Sequence, residues 1–142
     1  MTFHREFTTT TSAARSTLWA LWTDINNWSS WNAGVAQAKL TGPFVNGAEF
    51  RMTPTGQDAM TSRLVRVEEG VAFTDETVLG DIRVTVEHRI ENTDESNALR
   101  VVCSAQVTGP GAEHVGAAVT EDFDDVLAAL VKLAESSSME TA

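Results

Sequence analysis

The sequence predicts an α+β domain: a curved antiparallel sheet of about seven strands wrapped around a long C-terminal helix, with two short helices after the first strand. Three observations carry this expectation. Between positions 34 and 108 the chain is a series of short alternating stretches separated by turn residues. That is the pattern of an antiparallel meander rather than of strand–helix repeats. From about Ala112 to Ser137 the apolar residues fall instead at helical spacing. All four tryptophans, Trp19, Trp22, Trp28 and Trp31, lie in LWALWTDINNWSSWN, a helix that breaks at Asp24 and restarts as a short turn.

Taken in order, Thr2 to Thr11 is rich in β-branched residues and sets Phe3, Arg5 and Phe7 on one parity, as an edge strand with a polar face would. Ser12 is the expected N-cap of a helix over Ala13 to Thr23, whose buried stripe is Leu18, Leu21, Trp22 and Ile25. Asp24 can stop that helix and cap the next turn through its side-chain oxygen. Gly34 to Thr41 and Ala48 to Thr53 alternate as strands around the turn signals Gly42-Pro43 and Asn46-Gly47. Met60 to Glu69, Val71 to Leu79, Asp81 to Asn92 and Ala98 to Thr108 are four further strands. After Gly109-Pro110-Gly111, the residues Val115, Val119, Phe123, Val126, Leu127, Leu130 and Ala134 form one apolar stripe. A helix of roughly 20 residues spans about 30 Å, enough to cross a small sheet. The space such a sheet leaves beneath its helix is the natural place for a small apolar ligand.

At 142 residues the chain is read as one ligand-binding domain over 1–142, with about 137–142 as a flexible tail. The net charge of −10, without any Lys/Arg run, opposes phosphate-backbone contacts, so no nucleic-acid partner is expected. There is no apolar run long enough to cross a bilayer and no leader-like segment, so membrane insertion is not expected. The single Cys103 allows no intrachain disulfide, which together with these features suggests a cytoplasmic protein.

Four stretches resemble a known family: LWALWTDINNWSSWN, GPFVNGAEFRMTPTGQ, AFTDETVLGDIRVTVEHRIEN and VTGPGAEHVGAAVTEDFDDVLAALVKLAE. Together they resemble the START-like, helix-grip superfamily labelled SRPBCC, and within it the bacterial polyketide cyclase/dehydrase-like branch. The resemblance covers nearly the whole chain. It implies the helix-grip fold and a polyketide-like, aromatic or lipid-like ligand, with any activity being cofactor-free cyclisation or dehydration. The same scaffold also serves non-enzymatic carriers.

Candidate site residues follow from strand parity. In IRVTVEHRIEN, His88 shares a face with Ile82, Val84, Val86 and Ile90, which aims an imidazole inward as a proton shuttle or a ligand hydrogen-bonding group. Asp75 shares the inward parity of Phe73 and Thr77, and a buried carboxylate needs a partner, either His88 or Arg63. Arg63 is placed inward with Val65 and Val67, where it would stabilise negative charge. A structural ion pair, or Asp75 turned to solvent, is the competing arrangement. Phe50, Met52 and Phe73 are expected to form the apolar wall, with Trp28 and Trp31 at the pocket mouth and Trp19 and Trp22 in the core. Cys103 reads as a small buried thiol.

Glu121, Asp122, Asp124 and Asp125 read as a solvated helix face, and His4, His88 and His114 have no zinc-ligand spacing. No metal and no cofactor are therefore expected. The expected partner is a small hydrophobic molecule, and a homodimer is left open. The leading functional expectation is ligand binding between sheet and C-terminal helix, with catalysis by His88 and Arg63. A carrier or sensor of the same ligands is the rival. A co-chaperone-like module is disfavoured, because the outward positions Glu49, Arg51, Arg83, Glu87, Arg89 and Glu91 are charged.

Overall fold

The computed structural model describes residues 2–140, with side chains through 136. Seven strands form one antiparallel sheet: β1 (Thr2–Thr11), β2 (Val35–Leu40), β3 (Glu49–Pro54), β4 (Met60–Glu68), β5 (Ala72–Leu79), β6 (Ile82–Asn92) and β7 (Leu99–Thr108). The spatial order is β1-β7-β6-β5-β4-β3-β2, a meander from β2 to β7 that brings β1 alongside β7. Helix α1 (Arg15–Thr23) and a 3₁₀ helix over Ile25–Ser30 follow β1, as expected. The C-terminal segment differs: it is two helices, α2 (Ala112–Thr120) and α3 (Phe123–Glu140), rather than one.

The acids explain that break. Glu121 and Asp122 stand at the C-terminal end of α2, where negative charge opposes the helix dipole. Asp124 and Asp125 fall in the first turn of α3, where the same charge is favourable. A new helix therefore starts at Phe123, and the Val126 N–H donates to the Asp122 carbonyl at 2.9 Å. Helix α3 buries Leu127, Leu130, Val131 and Ala134 against α1, β1 and β7. The tail expected from position 137 falls on the last turn of α3 and on residues 141 and 142, which lie outside the described residues.

Two expected caps are replaced. Helix α1 begins at Arg15 with Ala14 at its N-cap, and Ser12 is exposed. The buried Thr11 serves the junction instead: its hydroxyl accepts from the Ala13 N–H at 3.1 Å and donates to Glu135 on α3 at 2.7 Å. Asp24 does end α1, but its carboxylate accepts from the Asn27 side chain at 2.7 Å rather than from a backbone N–H.

The larger part of the core joins α1, the 3₁₀ helix and α3 to the sheet through Leu18, Trp22, Ile25, Trp28, Phe50, Leu64, Phe73 and Leu130. A smaller part lies beneath α2 and comprises Val84, Val86, Ala105, Val107 and Ala112. Phe123 touches both. The outer face carries ion pairs instead, with Arg89 joined to Glu6, Glu87 and Glu91, and Arg83 to Glu76. No helix among the described residues is long and apolar enough to cross a membrane.

Candidate functional site

Strand register sets a polar seam into the apolar concave face. Phe73 lies opposite His88 across β5 and β6, Asp75 lies opposite Val86, and His88 lies opposite Cys103 on β7. Because side chains alternate along a strand, Phe73, Asp75 and Thr77 point to the same side, and so do Val84, Val86, His88 and Ile90. The inward placement expected for Asp75 and His88 is therefore what the structure shows. Their nearest polar atoms, His88 Nδ1 and Asp75 Oδ2, are 4.0 Å apart. That is beyond hydrogen-bond range.

Arg63 is not part of this seam. Strand β4 slips register between Leu64 and Arg66, and the irregularity reverses the parity of the residues on either side. Ser62 and Leu64 point inward before it and Val67 after it, while Arg63 and Val65 are exposed. The sequence offers no glycine or proline at this point to announce a bulge. The inward hydroxyl of Ser62 instead shares a buried 2.6 Å hydrogen bond with Thr77.

Burial without a compensating partner decides the protonation states. Desolvation raises the Asp75 carboxyl from 3.8 to about 7. It also lowers the His88 imidazole from 6.5 to about 4, while the Phe73 and Val86 carbonyls pull weakly the other way. Among the described residues His88 Nδ1 has no hydrogen-bond partner. The Cys103 thiol is pushed up to about 12, first by burial and then by the charge of Asp75, so it is no nucleophile. Between about pH 4 and 7 the seam is thus a carboxylic acid beside a neutral imidazole, a donor and an acceptor both facing inward. Each of these two side chains keeps 14% of its surface accessible.

Aromatic rings frame the seam. Phe73 lies flat on the His88 ring with centroids 4.1 Å apart, and Trp22 meets the same imidazole edge-on at 5.5 Å. Phe73 also meets Trp22, Trp19 and Phe44 edge-to-face, at 5.6, 6.1 and 5.1 Å respectively. Beyond it a cleft of about 670 Å³ opens, lined by Trp19, Thr23, Phe44, Val45, Asn46, Val67 and Glu69. This cleft lies between α1, the β2–β3 loop and the end of β4, not beneath α3 as expected. Phe44 stands on a loop bounded by Gly42 and Gly47, whose φ angles of 100° and 88° belong to the region that glycine tolerates best.

The tryptophans divide differently from expectation, except that Trp22 is buried in the core as expected. Trp19, assigned to the core, packs against it but also lines the cleft. Trp28, assigned to the mouth, is buried; its indole N–H donates to the Trp22 carbonyl at 3.0 Å, and its ring packs edge-to-face on Phe50 at 5.5 Å. In the 3₁₀ helix that hydrogen bond, which no periodicity reveals, turns Trp28 inward. Trp31 is half-buried against the core and lies outside the cleft. Phe50 and Met52 both face inward, Phe50 fully buried and Met52 in part.

Comparisons with known proteins agree with this architecture. Residues 3–135 match the profile of a family described as polyketide cyclase / dehydrase and lipid transport. The aromatase/cyclase Zhui of a Streptomyces species superposes with a TM-score of 0.78 at 16% identity, over 95% of this chain and 94% of that one. The di-domain aromatase/cyclase StfQ of the steffimycin biosynthetic pathway gives 0.79 at 13% identity, over 96% of this chain and 51% of its own. Norcoclaurine synthase from Thalictrum flavum, solved with dopamine and hydroxybenzaldehyde, gives 0.72 at 11% identity, over 94% and 86%. These likenesses establish the fold. Among curated proteins no sequence matches the chain.

Proposed function

The chain belongs to the polyketide cyclase/dehydrase and lipid-transport family, and from that premise we propose that it binds a small, largely apolar, polyketide-like or aromatic molecule on the concave face of its sheet. The molecule enters through the cleft at Trp19 and Phe44 and meets Asp75 and His88. The observation that carries this reading is the pair itself: a carboxyl and an imidazole, facing inward among aromatic rings, with no partner for His88 Nδ1 among the described residues and a 4.0 Å gap between them. Buried polar groups are normally satisfied, and a ligand oxygen placed between these two would satisfy both.

The same pair suits a cofactor-free dehydration. Neutral His88 removes the proton α to a carbonyl, and the Asp75 carboxyl protonates the departing β-hydroxyl, which leaves as water. The imidazolium then returns its proton to the Asp75 carboxylate, and both groups end as they began. The aromatic walls fold a flexible poly-carbonyl chain into the reactive geometry.

A carrier is the second reading, favoured by Phe73. Its ring covers one face of the imidazole, which suits a hydrogen-bonding anchor better than a mobile base. Tryptophan fluorescence titrated with aromatic ketones and phenols tests binding, with saturable quenching expected and a flat response to all of them contradicting it. Product analysis with β-hydroxy ketones then separates the two readings. Enzyme requires turnover in the unaltered protein that Asp75→Asn and His88→Gln reduce, at saturating ligand, far more than they weaken binding; carrier requires binding without turnover in the unaltered protein.

A further inference from the structure

We propose that the head group lodged between Asp75 and His88 is an uncharged oxygen function, such as a phenol, enol or ketone, and that carboxylate and phosphate ligands are excluded. This rests on the ligand-binding reading above and narrows its ligand class. The decisive observation is the distribution of positive charge. The chain has ten lysines and arginines, yet among the described residues the only basic side chain within 4.0 Å of the Asp75 carboxyl is His88.

Each cation that could have served is committed elsewhere. Arg63 is exposed on the outer side of β4. Arg89 is held outside by Glu6, Glu87 and Glu91. Arg15 directs its guanidinium to the carbonyls of Gly70 and Ile90 and to the Asn92 side chain. Arg5 shares the inward parity of Phe7, but its guanidinium lies over the Phe7 ring on the edge strand. Three strand spacings separate β1 from β5, about 14 Å.

An anionic head would therefore enter a desolvated space with no positive charge to meet it and with a carboxyl already there. Unpaired buried charge is among the most expensive arrangements in a protein. An ammonium would find Asp75 as a counter-ion, but only after both charges had shed their water, a cost that commonly exceeds the attraction gained. A hydroxyl or enol needs neither. It donates to the neutral imidazole and accepts from the carboxylic acid, and nothing charged is buried. The remaining inward polar groups do not alter this balance, since Ser62 and Thr77 bond each other and Cys103 stays a thiol.

The test is calorimetry with three matched probes, 2-naphthol, 2-naphthoate and 2-naphthylmethylamine, at about pH 6, where they are neutral, anionic and cationic. Naphthol is expected to bind at least about tenfold more tightly than either charged probe, a difference of roughly 1.4 kcal/mol. It should also shift the His88 imidazole resonances. Naphthoate or amine binding as tightly as naphthol overturns the inference, as does naphthol binding that leaves His88 unmoved. If none of the three binds, the ligand-binding reading itself fails, an outcome distinct from loss of charge discrimination. Asp75→Asn replaces a protonated carboxyl by a neutral amide and supplies no cation, so the naphthoate disadvantage should persist in that variant. The comparison of probes in the unaltered protein stands whether or not that variant folds.

Discussion

The ring of Phe73 and the imidazole of His88 are stacked 4.1 Å apart and 6° from parallel, directly opposite each other on β5 and β6. Phe73 is fully buried, and five of its aromatic neighbours come from α1, the 3₁₀ helix, the β2–β3 loop and β6. One side chain thus couples the mouth to the polar seam.

Truncating it should act on both stability and electrostatics. Phe73→Ala is expected to cost about 3–5 kcal/mol of unfolding free energy, measured by urea denaturation. In the milder Phe73→Leu, water gains access to the imidazole, and the His88 pKa should climb from about 4 back towards 6.5 in an NMR titration. An unmoved His88 in a folded Phe73→Leu variant would mean that the stack does not desolvate it.

The pair also predicts a compensated pH dependence. Asp75 retains its proton in the folded state up to about 7 but loses it at 3.8 when unfolded, so its contribution to stability is lost as pH rises through that window. His88 does the reverse: neutral when folded down to about 4, it gains a proton near 6.5 when unfolded, so its contribution is lost as pH falls from 6.5 to 4. Between 4 and 6.5 the unfolded pair is carboxylate plus imidazolium and the folded pair is acid plus imidazole, which bind equal numbers of protons. The two slopes cancel. Relative to the unaltered protein, Asp75→Asn should make stability rise with pH across this range, and His88→Gln should make it fall. Each slope approaches about 1.4 kcal/mol per pH unit at most. Urea midpoints measured along a pH series check the signs, and slopes of the same sign in both variants would refute the pairing.

The residues show why part of this site could be read from sequence and part could not. Parity placed Asp75, His88 and Phe73 correctly, because β5 and β6 pair without a slip and a period of two then fixes every side chain. Parity failed for Arg63 because one irregularity in β4 reverses the face, and no local residue marks it. Trp28 could not be placed by any period, since its orientation depends on a hydrogen bond to Trp22 within a 3₁₀ helix. The division of the C-terminal helix had a visible signal in the run Glu121 to Asp125. An apolar stripe that continues across the break concealed it, because α2 and α3 cover the same side of the sheet.

Phe44 tests the route inward. Its ring stands edge-on to Phe73 at 5.1 Å and to Trp19 at 6.0 Å, while neighbouring Val45 is nearly half exposed. Phe44→Ala should widen the mouth at little cost in stability. It should raise the ligand association rate several-fold in stopped-flow fluorescence, leaving the His88 pKa nearly unchanged because Phe73 still covers the imidazole. An unchanged rate would place the route elsewhere.

Arg15 tests how the wall holding Trp19 and Trp22 is kept in place. One guanidinium nitrogen donates to Gly70 O at 2.8 Å and Ile90 O at 3.0 Å, and another to Asn92 Oδ1 at 2.8 Å. These bonds tie the first turn of α1 to the β4–β5 turn and to the end of β6. Hydrogen bonds from a charged donor contribute about 1.5–3 kcal/mol each when enclosed and less where solvent competes, so Arg15→Gln should destabilise by roughly 1–3 kcal/mol. Arg15→Lys should recover only part of this, because an ammonium cannot span the fork of acceptors. If the helix is what positions the aromatic wall, both variants should also weaken ligand-induced quenching of Trp19, in the same order as their loss of stability. Stability lost with quenching intact would show that α1 stays docked through Leu18 and Trp22 alone.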